Sequence, residues 1–403
     1  MASSRTYLDH NATTPLAEAV IDSMADALRV TFGNASSIHS EGQQARHLVE
    51  RARREVAQLL HAEPREIVFT SGGTEANNMA IRGFLAATGK TKQHFITTTI
   101  EHPAVLQVAT HLESQGVEVT YVAVGPAGVL NPADLRDALR PDTTLVSVMH
   151  ANNEVGTVQP IAEIAALCHE HGAKLHVDAV QSCGKIPVDV RALDVDLLSV
   201  SAHKFHGPKG VGALYMRKGV AANPLLHGGR HERGRRPGTE NVVAIHGMGI
   251  AAALARQSLE SETLRLTQLR DQMEEAILHA IPDVSVNCKS SLRLPNTSSL
   301  CFHGIEGEPL LIALDLRGFA VSSGSACSSG SVEPSHVLTA IGLAREEARS
   351  CLRISLGAGN DQGQLERFVV ALEQTVCQLR KIAAPTSPSV PGIAAISAKR
   401  NTP

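Results

Sequence analysis

A chain of 403 residues, 43% of them apolar, can bury a sizeable core and leaves room for two or three domains. Its 37 basic residues nearly balance 40 acidic ones, so no global charge points to nucleic acid or an anionic membrane, and the expected partners are small molecules or proteins. Aromatic residues make up 3% with no Trp, so the core must rest on Val, Leu, Ile and Ala, as buried parallel strands often do.

In chain order, the opening MASSRTYLDHNATTPL lacks the apolar centre of a signal peptide, and no apolar run reads as long enough to cross a bilayer; a cytoplasmic protein is expected. From residue 65 the chain alternates. Short β-branched runs (REIVFTSGG at 65–73, HFITTTIEHPA at 94–104, TLVSVMHANNE at 144–154, KLHVDAVQ at 174–181, DLLSVSAHK at 196–204) are separated by helical stretches such as PADLRDALR and IAEIAALCHEHGA. That rhythm predicts an α/β fold, a mostly parallel sheet with helices on both faces. Near residue 258 the texture changes to a charged, long-period helix, ESETLRLTQLRDQMEEAILHAI, followed by strand and helix patterns to about 380. The expected organisation is a large domain over 16–257, a smaller α+β domain from 1–15 and 258–382, and a disordered Pro/Ser/Ala-rich tail over 383–403. Seven cysteines at irregular spacing, without a CxxC pair, suit neither a disulfide framework nor a zinc site; they read as reduced thiols, most of them apolar fillers, and no metal is expected.

Ligands of open α/β sheets bind at the carboxyl ends of the strands. Asp178 closes KLHVD, Lys204 closes LLSVSAHK, His102 follows FITTTIE, Asn153 follows VSVMHAN and Thr74 follows IVFTSGG. Singly, each is more simply a cap, a turn residue or a solvated lysine. Five on one rim imply a shared task. Pyridoxal phosphate (PLP) needs a lysine amine to form a Schiff base and a carboxylate to keep its pyridine nitrogen protonated, roles that suit Lys204 and Asp178. SGGTE at 71–75 is a Gly-rich turn opening a helix, whose free N–H groups favour a phosphate, and it has neither dinucleotide nor P-loop spacing.

With YLDHNATT at 7–14, HANNEVGTVQP at 150–160, GRRPGTEN at 234–241, SSGSACSSGSVEPSHVL at 322–338 and RISLG at 353–357, the chain resembles the cysteine desulfurases of the NifS/IscS type, which are fold-type I PLP enzymes. The resemblance covers all but the tail, and it implies a mostly parallel sheet of the seven-stranded type. It implies that Lys204 carries the cofactor, Asp178 pairs with the pyridine nitrogen, Gln181 donates to the ring hydroxyl oxygen, and His102 stacks on the ring and moves protons. Thr74, Ser201 and His203 would hold the phosphate, with Thr239 reaching the phosphate bound by the other subunit of a homodimer. Asn153, Arg353 and Asn11 would line the substrate pocket, the guanidinium gripping the α-carboxylate of L-cysteine. The Arg/His-rich HGGRHERGRR at 227–236 would be a cofactor-proximal loop at the subunit interface.

Cys327 sits in a stretch too small and polar to pack as core, and a nucleophile that collects sulfur inside and delivers it outside has to move. The resemblance implies that it takes sulfur from L-cysteine as a persulfide, leaves alanine, and passes the sulfur to an acceptor or iron–sulfur scaffold protein. A selenocysteine lyase would share the same lysine and carboxylate, whereas an aminotransferase would have no use for the cysteine loop.

Overall fold

The computed structural model describes residues 5–323 and 333–383. Cys327 and the tail from 384 onward lie outside the described residues. Its strands are β1 (Thr6–Tyr7), β2 (Ile67–Thr70), β3 (His94–Thr98), β4 (Glu118–Val122), β5 (Thr143–Met149) and β6 (Lys174–Asp178). They continue with β7 (Leu197–Ser201), β8 (Gly212–Met216), β9 (Val284–Val286), β10 (Thr297–Phe302), β11 (Phe319–Ala320) and β12 (Cys351–Ser355).

The central sheet has seven strands in the order β2-β8-β7-β6-β5-β3-β4. From β7 to β4 every pairing is parallel, and β8 runs antiparallel between β2 and β7. Successive residues of each strand go to opposite faces. Val68, Phe95, Leu145, Leu197 and Leu214 pack under the helices near Gly73–Thr88 and Pro103–Ser114. Their neighbours Phe69, Ile96, Val146, Leu198 and Tyr215 join the core on the other face, covered by the helices Ser40–Leu59 and Ile161–Glu170. Both faces are dry, which is why these strands read as unbroken apolar runs rather than alternating ones. Each such buried side chain contributes about 1.5–3 kcal/mol.

A second core, with Leu8, Phe302, Ile354 and Phe368 at its centre, packs around the antiparallel strands β12-β10-β9, the parallel pair β1-β11 and the helices Gly307–Leu316 and Gln362–Ala383. One helix, Val242–Ala280, serves both: Ala244 and Met248 lie in the first core and Leu266, Met273 and Ile277 in the second. This helix starts well before the expected residue 258. Its first half, VVAIHGMGIAAALA, lacks a polar face because it lies deep between neighbours; a Cβ on Gly249 would come within 2.5 Å of Ala52 Cα. The helix also corrects a second expectation, since by length and composition Val242–Ala280 is apolar enough to cross a membrane. Ala244, Ile245, Met248, Ala251 and Ala252 are instead buried inside the protein, where the helix packs on the helices Glu18–Val30 and Ser40–Leu59.

The cysteines also depart from the reading of seven reduced thiols. Cys301 and Cys351 stand opposite each other on the antiparallel strands β10 and β12 and are joined as a disulfide. A separation of 50 residues hides in the sequence what strand register brings together. Cys168 and Cys183 are buried fillers, whereas Cys377 is exposed.

Candidate active site

The parallel strands deliver their carboxyl ends to one rim. Asp178 is the last residue of β6, and Ser201 ends β7 just before a tight turn, Ala202–Lys204. His102 caps the helix that follows β3, Asn153 lies in the turn after β5, and Thr74 opens the helical run after β2. Thr74, His102, Asn153, Asp178, Gln181, Ser201, His203 and Lys204 all line one cavity of about 240 Å³.

The carboxylate of Asp178 is aimed by two donors: Asn77 Nδ2 reaches Oδ2 at 2.7 Å and the Val180 N–H reaches Oδ1 at 3.0 Å. Asn77 is one turn beyond Thr74 on the same helix; nothing in the sequence distinguishes it from helix filler. His102 Nδ1 accepts from the Ala104 N–H at 3.0 Å, so that nitrogen carries no proton and Nε2 bears the ring hydrogen. Burial holds this imidazole below its ordinary pKa, with Lys204 and His336 adding to the effect and Asp178 opposing it, so the ring is neutral at neutral pH. Burial pushes His203 down to about 4, helped by Lys204, Lys209 and Lys185. The Lys204 amine donates to the carbonyl oxygens of Asn11 at 2.5 Å and Ala12 at 2.8 Å.

Asn11 and Arg353 adjoin the cavity through Asn153. The Asn153 carbonyl accepts from Asn11 Nδ2 at 3.2 Å and from a terminal nitrogen of Arg353 at 3.0 Å. The other terminal nitrogen of Arg353 is paired with Asp9 at 2.7 Å, while its buried Nε has no partner among the described residues.

Thr239 is exposed and does not line the cavity. Its loop is nevertheless strapped beside β2. Glu232 takes both terminal nitrogens of Arg53 at 2.7 Å and the Phe69 N–H at 3.0 Å, and Arg236 pairs with Glu75 at 2.8 Å. These contacts hold Glu232 and Arg233 in left-handed backbone conformations (φ 48° and 60°) that non-glycine residues seldom adopt.

The residues present fit PLP. At Gly73 a Cβ would meet Val180 Cγ2 at 2.8 Å, so only glycine lets the turn close this tightly where the helix exposes its first N–H groups. Thr74, Ser201 and His203 line the same cavity as the carboxylate of Asp178 and the amine of Lys204.

A family model described as aminotransferase class-V matches residues 6–368. A curated relative from Dictyoglomus turgidum, named cysteine desulfurase IscS, is 49% identical over 377 residues, covering 94% of this chain and 96% of its own length. A cysteine desulfurase from a Nostoc species is 48% identical, with 94% of both chains covered. Among solved structures, one titled NifS-like protein superimposes with a TM-score of 0.88 at 38% identity, covering 93% of this chain and 100% of its own. Another, titled SspA in complex with cysteine, gives 0.77 at 38% identity over 87% of this chain and 98% of its own.

Proposed function

The chain belongs to the aminotransferase class-V family, and we propose that it is a PLP-dependent cysteine desulfurase that converts L-cysteine to L-alanine and passes the sulfur, held as a persulfide on Cys327, to an acceptor protein of iron–sulfur cluster assembly. The observation that carries this reading is the joint lining of one cavity by Asp178, Lys204 and His102, with the Asn153–Arg353 pair beside it. The reading includes a homodimer in which Thr239 serves the partner's phosphate, and a cytoplasmic setting. The names of the curated relatives favour cysteine over selenocysteine.

When bound, PLP supplies a sink for the electrons released at the amino acid's Cα. Asp178, fixed by Asn77 and Val180, would hold the pyridine nitrogen in its protonated form. Lys204 would hold the cofactor through its amine, and that amine is also placed to act as the base for the Cα proton. His102 has only Nε2 with which to exchange a proton, because Nδ1 is engaged by the Ala104 N–H. Arg353 and Asn11 orient the carboxylate end of the substrate. At Cys327 an S–S bond forms as the substrate's Cβ–S bond breaks; the electron pair of that bond stays on carbon, a proton joins Cβ, and alanine leaves.

Purified PLP-loaded protein given L-cysteine and a reductant should release alanine and sulfide in equal amounts, and Lys204→Ala should lose both the reaction and the visible absorbance. Alanine production by Lys204→Ala at the wild-type rate would refute the reading.

A further inference from the structure

Lys185 is an amine in the wrong kind of place. It is 8% exposed, and its Nζ is held by two carboxamide oxygens: it donates to Gln181 Oε1 at 2.8 Å and to Asn11 Oδ1 at 2.9 Å. Burial, with Lys204 and Arg353 adding to it, pushes its pKa well below the ordinary 10.5. Two of its N–H groups are taken up by these two acceptors. Keeping an amine in the interior is unfavourable unless its hydrogen bonds accomplish something that a methylene chain could not.

What they accomplish is orientation. The two ends of a carboxamide have the same shape and opposite hydrogen-bonding sense, so packing alone does not select one over the other. A donor at Gln181 Oε1 selects it: the oxygen faces Lys185, and the NH₂ group, which donates to the Asn11 carbonyl at 2.9 Å, is turned away from it. The same amine, with Asn296 Nδ2 at 3.1 Å, pins Asn11 Oδ1. Asn11 Nδ2 is thereby directed to Asn153 and Thr297, at 3.2 and 2.8 Å. Both N–H groups of Asn11 are thereby committed, whereas Gln181, with one N–H on the Asn11 carbonyl, keeps a second N–H as a donor, the chemistry that recognises an oxyanion.

We propose that Lys185 is a positioning residue of this site, which sets the amide orientation of Gln181 directly and of Asn11 beside it, so that Gln181 presents its NH₂ group towards the phenolate oxygen of PLP. The assignment rests on the reading of the site as a PLP pocket. The ionisable groups around the amine are Lys204, Arg353, His10, His203 and His206. Lys185 is the donor seen on Gln181 Oε1, at 2.8 Å.

The test compares wild type with Lys185→Met, which keeps apolar volume and removes the donor, and Lys185→Arg, which keeps donors. The apo-proteins are titrated with PLP, and the visible absorbance of the loaded proteins is then followed against pH without substrate. Lys185→Met should bind PLP about tenfold more weakly, the effect of one lost hydrogen bond. Its absorbance midpoint should rise by about one pH unit, because the phenolate loses a donor and a nearby amine disappears. Lys185→Arg should recover at least half of both changes. In a Gln181→Leu background the Lys185→Met substitution should add little, since the group it positions is gone. If the methionine variant does not fold, Lys185→Gln, too short to reach both oxygens, carries the same expectation. Wild-type affinity and midpoint in Lys185→Met, or full additivity with Gln181→Leu, would overturn the proposal. Failure of the wild-type chain to bind PLP would instead count against the cofactor reading, so the two failures are distinguishable.

Discussion

Asn77 Nδ2 lies 2.7 Å from Asp178 Oδ2, a side-chain bond across 101 residues that ties the helix opening at Gly73 to the carboxylate at the end of β6. A hydrogen bond to a charged acceptor is worth about 1.5–3 kcal/mol, more than most neutral ones. Asn77→Ala leaves Val180 as the one donor named above, so the carboxylate can swing. Turnover should fall by a factor of about ten to a hundred while the fold stands. Steady-state kinetics alongside circular dichroism checks this; unchanged turnover would show that Val180 suffices.

How far the site was legible before the fold was known differs from residue to residue, for physical reasons. Asp178 and Lys204 could be read because buried parallel strands are apolar to their ends, so a polar residue there stands out. Asn77 and Lys185 could not: one sits mid-helix, the other in CGKIPV, and each acquires meaning from a partner far off in the chain, Asp178 for Asn77 and Asn11 for Lys185. The start of the helix at Val242 was missed because its Gly/Ala-rich half is packed all round and shows no amphipathic period. The Cys301–Cys351 pair depends on strand register, which spacing does not encode. Thr239 presents the opposite case, since its proposed role was carried by a motif and a single chain shows only that it is exposed.

Cys327 lies outside the described residues, and its role is tested by separating binding from sulfur transfer. Cys327→Ala should load PLP normally and still change its visible spectrum when L-cysteine is added, because Lys204, Asp178 and Arg353 are intact. Alanine release should collapse. Mass spectrometry of wild-type protein after brief exposure to cysteine should find one extra sulfur on the peptide containing Cys327. An alanine variant that turned over cysteine normally would remove the persulfide step while leaving the fold standing.

Beneath His102, Glu101 is fully enclosed: Oε1 accepts from Thr98 at 2.6 Å and from the Met149 N–H at 3.0 Å, and Oε2 has no partner among the described residues. Burial raises its carboxyl from 4.5 to about 8, so it is largely protonated in the folded protein at neutral pH. A folded pKa above the unfolded one means that stability is full below about 4.5 and is lost as pH climbs towards about 8. The loss is about 1.4 kcal/mol per pH unit within that window. Glu154, raised to about 7 by burial, acts in the same direction. Glu101→Gln imitates the protonated acid at all pH values. Urea midpoints of the apo-proteins between pH 5 and 9 should therefore fall less steeply for the variant, and parallel curves would show that Glu101 does not titrate in this range.

The assembly prediction starts from surface that a lone chain leaves uncovered. Phe32 is 85% exposed and Ile38 93%, with Leu28 and Val30 exposed nearby in sequence, a density of apolar side chains that solvent-facing segments rarely carry. Thr239, meanwhile, stands exposed on a loop braced by Arg53–Glu232 and Glu75–Arg236, which is a costly way to hold a residue with nothing to touch. Both features are accounted for if a second copy covers the first and receives the second. Light scattering should then give about twice the 42.7 kDa chain mass, and Phe32→Asp with Ile38→Asp should shift it towards the monomer. A sharper test uses two inactive parents. Lys204→Ala lacks the cofactor lysine, and Thr239→Asp sets a carboxylate against the phosphate of the neighbouring site. In a mixed dimer, one site combines the intact Lys204 of one chain with the intact Thr239 of the other. Co-refolding equal amounts of the two variants should restore up to about a quarter of wild-type activity, since half the dimers are mixed and each has one complete site. No recovery from a mixture shown to contain mixed dimers would mean that Thr239 serves its own chain, and the exposed loop would need another explanation.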